Sequence, residues 1–303
     1  MQSNNYISID LSSATIRAAV ITSECEILER RETVLEEYVS IPSQVESVVT
    51  KLRESNPQIS SISVCLPAII NYQTKQVVIS SAFPSLIGED LHGHLASSTG
   101  LRVTLENDAN AAAFAEYKVG AGRNSRNMFY ATVGAGVGGA IILGGKLWTG
   151  ANGFAGEFGH IVIDPEGTEL EDVASSANII RRTRHRLERD NTSSLSMLSI
   201  NPSFTVTDIV NAANNGDDFA AMMLERTGKF VGRAVASVIS LLDVEKIVIG
   251  GDVMDAGDLI LRPLKEEAER RAFKPCYEAT EILAATLGKD AVAVGATLIA
   301  HES

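Results

Sequence analysis

A repeated order constrains this chain most: a strand, a turn of small residues, then a second strand. It occurs at Ile9-Asp10-Leu11-Ser12-Ser13-Ala14-Thr15 and again at Thr132-Val133-Gly134-Ala135-Gly136-Val137-Gly138-Gly139. Around the first turn, Tyr6–Leu11, Thr15–Thr22 and Glu26–Val34 are short β-rich runs, and their spacing predicts hairpins. Around the second, Met128–Gly134, Gly139–Leu143 and Lys146–Trp148 repeat the pattern with glycine turns between them. Helices and strands then alternate. Gln44–Glu54 carries Val45, Val48, Val49 and Leu52 on one side, Ile59–Leu66 reads as a buried strand, and Val103–Leu105 leads into an alanine-rich helix opened at Glu106-Asn107-Asp108. In the second half Asp217–Leu242 has a long helical apolar face. It is followed by a strand at Lys246–Ile249 closed by Gly250-Gly251, a helix at Asp258–Arg271, a strand at Ile282–Leu287 and a helix at Asp290–His301. Such alternation predicts an α/β chain of two similar lobes with a cleft between them.

Charge and cysteine usage narrow the function classes. The 303 residues include 38 acidic and 26 basic side chains, for a net charge of -12. A general nucleic-acid binder needs the opposite excess, so no nucleic-acid partner is expected. A small anion can still be held locally by backbone amides. The three cysteines, Cys25, Cys65 and Cys276, are far apart and form no CxxC pair, which argues against a disulfide framework. The opening MQSNNYISID lacks a basic-then-apolar leader pattern, and no run approaches eighteen apolar residues, so a cytoplasmic chain with no membrane partner is expected. The arginine-rich run Arg181–Arg189 reads as a solvated helix face.

Three segments could carry chemistry. Turns of small residues let phosphate oxygens approach backbone N–H groups, although each turn alone could be an ordinary hairpin. There is no GK[ST] signature, and Gly134-Ala135-Gly136 lies between strands rather than before a helix. Asp108 could cap the helix it starts, or take a proton from an attacking hydroxyl. In Gly150-Ala-Asn152-Gly153-Phe-Ala-Gly156-Glu157-Phe-Gly159-His160, four glycines surround one Glu and one His. That loop suits hydrogen bonds to adjacent sugar hydroxyls, or a turn with a structural histidine.

Together, Leu105-Glu-Asn-Asp-Ala-Asn-Ala-Ala-Ala113, Gly134–Gly139 and Gly150–His160 followed by Ile161–Gly167 resemble the ROK family of bacterial sugar kinases and sugar-responsive repressors. The resemblance covers nearly the whole chain. It implies the actin-like ATPase (ribonuclease H-like) fold, with residues 1–115 plus 288–303 as the N-terminal lobe and 116–287 as the C-terminal lobe. It implies ATP-dependent phosphorylation of a hexose or N-acetylhexosamine, with Asp108 as general base and Asn107, Glu157, His160 and Glu171 holding the sugar. Asp10, Ser12, Ser13 and Thr15 would lie near the ATP phosphates and Mg²⁺. Gly134, Gly136 and Gly138 would cradle the phosphates, and Gly250 and Gly251 would approach the nucleoside. Homodimerisation is common in the family and is expected on that ground. The first strand begins by Tyr6, leaving no room for a helix-turn-helix, so the repressor branch is not expected.

Two departures from the family pattern carry weight. The cysteine cluster that usually binds zinc is replaced by Gly167-Thr168-Glu169-Leu170-Glu171, so no structural zinc is expected and His160 loses the metal that fixes its ring. The first phosphate turn, normally Asp-x-Gly-Gly-Thr, reads Asp10-Leu11-Ser12-Ser13-Ala14-Thr15, and a serine forced to positive φ would be strained. Ala68 and Asn71 stand where Gly and Asp are usual. These changes motivate an alternative: a non-catalytic sugar-binding or regulatory protein with a degenerate ATP site.

Overall fold

The structure is a computed structural model that describes residues 5–189 and 192–302. Its strands are β1 (Asn5–Leu11), β2 (Thr15–Thr22), β3 (Ile27–Val34), β4 (Ile59–Leu66), β5 (Ile69–Asn71), β6 (Gln76–Ile79), β7 (Arg102–Asn107), β8 (Met128–Val133), β9 (Val137–Leu143), β10 (Lys146–Leu147), β11 (Lys246–Gly250) and β12 (Glu281–Ala284). Its α-helices are α1 (Ile41–Ser55), α2 (Leu91–Thr99), α3 (Asp108–Val119), α4 (Glu171–Ala174), α5 (Ser176–Leu187), α6 (Leu195–Leu198), α7 (Val206–Asn214), α8 (Asp218–Leu242), α9 (Asp258–Arg271), α10 (Lys274–Ala279) and α11 (Ala291–Glu302). No helix among the described residues is long and apolar enough to cross a membrane.

Two compact units result. The first runs to Gly120 and takes in Leu147–Ala155 and the chain from Leu287 onward; the second is Ala121–Lys146 and Gly156–Thr286. Each contains a five-stranded sheet, in the orders β3-β2-β1-β4-β7 and β10-β9-β8-β11-β12. In the first unit β1 pairs antiparallel with β2 and parallel with β4, and β4 pairs parallel with β7. In the second, β8 pairs antiparallel with β9 and parallel with β11, which pairs parallel with β12. The recurrence read from the sequence is therefore a recurrence of topology.

The two faces of the first sheet are covered by different chemistry. On one side Val45, Val48, Val49 and Leu52 of α1 meet Ile7, Ile9, Ile62 and Val64, each side chain contributing about 1.5–3 kcal/mol by leaving water. On the other, Cys65, Ala111 and Ala296 form a small-residue cluster, where α3 and α11 lie against the sheet. The alanine run of α3 thus does more than favour helix: it lets backbone approach backbone. The sequence reading missed α2 and the hairpin β5–β6. Asn71 makes that hairpin's turn, its Oδ1 accepting from the amides of Gln73 and Thr74.

Candidate active site

In the first unit the register aligns Asp10 on β1 with Arg17 on β2 and with Cys65 on β4, and Cys65 in turn with Glu106 on β7. All three parallel strands end here, the edge where α/β sheets place ligands. The Asp10 carboxylate is almost fully enclosed and its Oδ2 lies 2.6 Å from a nitrogen of Arg17. Burial raises the Asp10 carboxyl above its ordinary range, and Arg17 opposes that shift. Asp108, at the first turn of α3, is pushed up to about 6, mainly by burial and then by the Asp10 charge.

Asp108 is not the cap of its helix. Asn107 is: its Oδ1 accepts from the Asn110 amide at 3.0 Å, while its Nδ2 donates to the Ala68 carbonyl at 3.2 Å. One amide hydrogen of Asn107 remains to be offered. Behind this corner, Oε1 of buried Glu106 accepts from the Tyr72 hydroxyl, from Asn110 Nδ2 at 3.0 Å and from the Asn107 amide at 2.8 Å. Asn110 Nδ2 also donates to the Tyr72 oxygen at 3.1 Å, closing a ring of three polar groups.

The turn after β1 is free of the strain expected of it. Neither Ser12 nor Ser13 has a positive φ, and neither does Ala68. Ser12 Oγ accepts from the Thr15 amide at 3.1 Å and lies 3.0 Å from Thr15 Oγ1, so Thr15 closes the turn rather than facing out of it. Ser13 and Ala14 are exposed at the tip.

The second unit repeats the arrangement at the ends of β8 and β11. The Gly134 amide donates to the Gly136 carbonyl at 2.9 Å, and the Ser176 amide, opening α5, donates to the Gly134 carbonyl at 2.7 Å. Asp252, directly after Gly250-Gly251, lies against this turn: a Cβ on Gly134 would stand 2.4 Å from Asp252 Oδ1. Gly251 is required as glycine twice over, having φ +93° and a Cβ position 2.2 Å from the Val133 carbonyl oxygen. Gly138 is different, being part of β9 opposite Thr132 in the ladder.

Glu157, His160 and Glu171 come together in this unit. Burial raises the Glu157 carboxyl; Glu171 adds to the shift and His160 opposes it. Glu171 Oε2 accepts from the Val137 amide at 2.7 Å, which ties it to the glycine turn. His160 is not left loose by the missing cysteines. A short hairpin, with Ile163 and Leu170 amides donating to Thr168 and Ile161 carbonyls at 2.9 and 3.0 Å, returns Glu169 to it. Glu169 Oε2 lies 2.7 Å from His160 Nδ1, and this hydrogen bond raises the imidazole above its ordinary range. The glycine-rich loop that reads as one segment is divided: Gly150 and Asn152 belong to the first unit, Gly156 and Glu157 to the second. Arg17, Tyr72, Glu169 and Asp252 were missed by the sequence reading. Only Arg17 had a signal there, as the residue that faces Asp10 across a tight hairpin.

Comparison with known proteins fixes the family. Residues 6–303 match the ROK family. The chain belongs to the ROK family. Among ROK relatives, the glucokinase of Halalkalibacterium halodurans is 31% identical, over 96% of this chain and 93% of that protein. The glucokinase of Thermotoga maritima is 30% identical, over 98% and 97% respectively. The crystal structure of a ROK family glucokinase from Streptomyces griseus in complex with glucose and AMPPNP superposes with TM-score 0.87 at 28% identity, covering 99% of this chain and all of that one. The fold is therefore the actin-like ATPase fold, and the twice-occurring sheet order is its ribonuclease-H-like unit.

Proposed function

We propose that this ROK protein is an ATP-dependent sugar kinase that phosphorylates a hydroxyl of a hexose or N-acetylhexosamine, with glucose the first sugar to test. The observation that carries the reading is the Asp108 carboxyl, relieved of capping by Asn107 and held at about 6, close to the working pH of a general base. The near-full-length similarity to two glucokinases supports the same reaction class.

Asp108 accepts the proton of the attacking hydroxyl in this reading. Asn107, Glu157, His160 and Glu171 hold the sugar through its other hydroxyls. Glu157 and Glu171 accept, the free amide hydrogen of Asn107 donates, and His160 offers Nε2 because Nδ1 is engaged by Glu169. The turns at Ser13-Ala14 and Ala135-Gly136 would present backbone N–H groups to phosphate, and the backbone of Gly250 and Gly251 would approach the nucleoside. Magnesium is commonly held by one or two carboxylates together with substrate phosphates. Asp10 fits that mode as a single enclosed carboxylate with one oxygen on Arg17 and a second to offer; no cluster of three or more acidic, His or Cys groups among the described residues suits a protein-only cage. Bound there, the ion would neutralise charge on the transferring phosphoryl group.

The non-catalytic alternative is the less supported reading. The serine turn carries no positive φ, and Glu169 orients His160 without metal. The test is ADP release from ATP and Mg²⁺ over a panel of hexoses and N-acetylhexosamines. Turnover with at least one sugar, falling at least a hundredfold in Asp108→Asn, is expected. Saturable sugar binding with no turnover on any member would overturn the reading.

A further inference from the structure

Helix α5 carries Arg181, Arg182, Arg184 and Arg186, and Arg189 follows just beyond its end, five arginines within nine positions in a chain of net charge -12. They are not one solvated face. Arg184 is structural, its Nε and Nη2 donating to the carbonyls of Ser199 and Asn201, both at 2.9 Å, with its guanidinium over the Phe204 ring. Arg182 lies inward against α8. Its guanidinium sits 5.2 Å from the centre of the Phe230 ring and Nη2 donates to Thr227 Oγ1 at 2.8 Å, while Nε is buried with no hydrogen-bond partner.

Arg186, one turn further along α5, and Arg226, next to Thr227 on α8, add more positive charge beside Arg182. Burial pushes it down to about 10, and Arg226, Arg186 and Arg181 push in the same direction. Arg226 is itself lowered, by burial and then by Arg186 and Arg233. Among the described residues, no ion pair reaches Arg181, Arg182, Arg186 or Arg226. The next arginines along, Arg233, Arg270 and Arg271, all share one buried acid, Glu267. A guanidinium stays charged at any ordinary pH, and a half-buried one without a counter-ion is costly. An anion from outside removes that cost.

We propose that Arg182, Arg186 and Arg226 form a binding site for a compact phosphate-bearing anion. Guanidinium forks match phosphate oxygens two at a time, and a multiply charged phosphate offsets several arginines at once. The ligand is compact because the net charge of -12 repels a long polyanion, and because the cluster centres on one inward guanidinium. It is also separate from the glycine turn. At 1.5 Å per residue, Arg182 and Arg186 stand about 9 and about 15 Å along α5 from Ser176, whose amide meets Gly134.

Inorganic pyrophosphate is the probe, titrated at constant ionic strength and followed by ¹H–¹⁵N spectra of the arginine Nε–H groups of the full chain. Saturable movement of the Arg182 and Arg186 signals is expected, with calorimetric affinity reduced at least tenfold in Arg186→Gln/Arg226→Gln and unchanged in Arg123→Gln. Static arginine signals overturn the proposal, whether or not amides of the glycine turn move. So does unchanged affinity in the double variant. Tighter binding of single-stranded RNA than of pyrophosphate would overturn the compact ligand. Because the readout is local and needs no turnover, it stands apart from the kinase assay.

Discussion

As the proposed base, Asp108 would trade stability for reactivity. Its folded value of about 6 lies above the ordinary 3.8, so between those values the folded chain keeps a proton that the unfolded chain releases. Stability from this group is full below pH 3.8 and is lost as pH rises through 6. Asp108→Asn should therefore lower turnover at least a hundredfold yet raise Tm at pH 7.5, by an amount corresponding to about 3 kcal/mol, with no gain at pH 3.5. Calorimetric scans at the two pH values check this. The wild-type kcat/KM should fall tenfold per pH unit below about 6, because the protonated carboxyl cannot accept the hydroxyl proton. His160 runs the same way with pH: Glu169 raises its imidazole, so the stability of their pairing is full below about 6.5 and lost as pH rises through the folded value. Glu169→Gln should lower the His160 midpoint in a ¹H–¹⁵N titration and raise the KM for sugar several-fold, while kcat changes little. An unmoved midpoint would show that Glu169 does not hold the ring.

At the level of elements, the corner between β7 and α3 is the part on which the proposed base depends. Tyr72, Glu106 and Asn110 close a hydrogen-bonded ring behind Asn107, and Glu106 is buried. Tyr72→Phe removes the donor to that carboxylate and should cost about 1–3 kcal/mol in urea unfolding, with a lower kcat because Asp108 is less firmly placed. Equal stability of the variant would mean the ring is incidental. Of this corner, Glu106-Asn107-Asp108 was legible in the sequence, because caps and carboxylates have local signatures. Tyr72 was not, since its place comes from a three-residue strand, too short for a periodic pattern. The same contrast holds elsewhere. The long helices α8 and α9 and the strands flanking both turns were legible from periodicity and small residues. Glu169 and Asp252 act through contacts that only the folded hairpin and the β11 terminus create. The serine turn was misjudged for a related reason: a serine's identity says nothing about φ until the hydrogen bonds of Ser12 to Thr15 are known.

For the molecule as a whole, each of the two units has its own five-stranded sheet, and this predicts that they can be destabilised separately. The first unit is completed by α11, which returns from far along the chain to pack on α3, β1 and β4. Ser63 Oγ donates to the Ala296 carbonyl at 3.1 Å, and a Cβ on Gly295 would stand 1.7 Å from the Ala111 carbonyl oxygen. No side-chain rotation relieves a clash with backbone, so α11 must move away from α3. Gly295→Ala should therefore cost about 3 kcal/mol or more, at the upper end for overpacking. The loss should be confined to one unit. Native-state hydrogen exchange should speed at the amides of β1, β4 and α3, whose packing α11 completes, and stay unchanged at β8 and β11 in the other sheet. A uniform rise across both sheets would mean that the units unfold as one cooperative body, and that the repeated topology does not divide the molecule's stability.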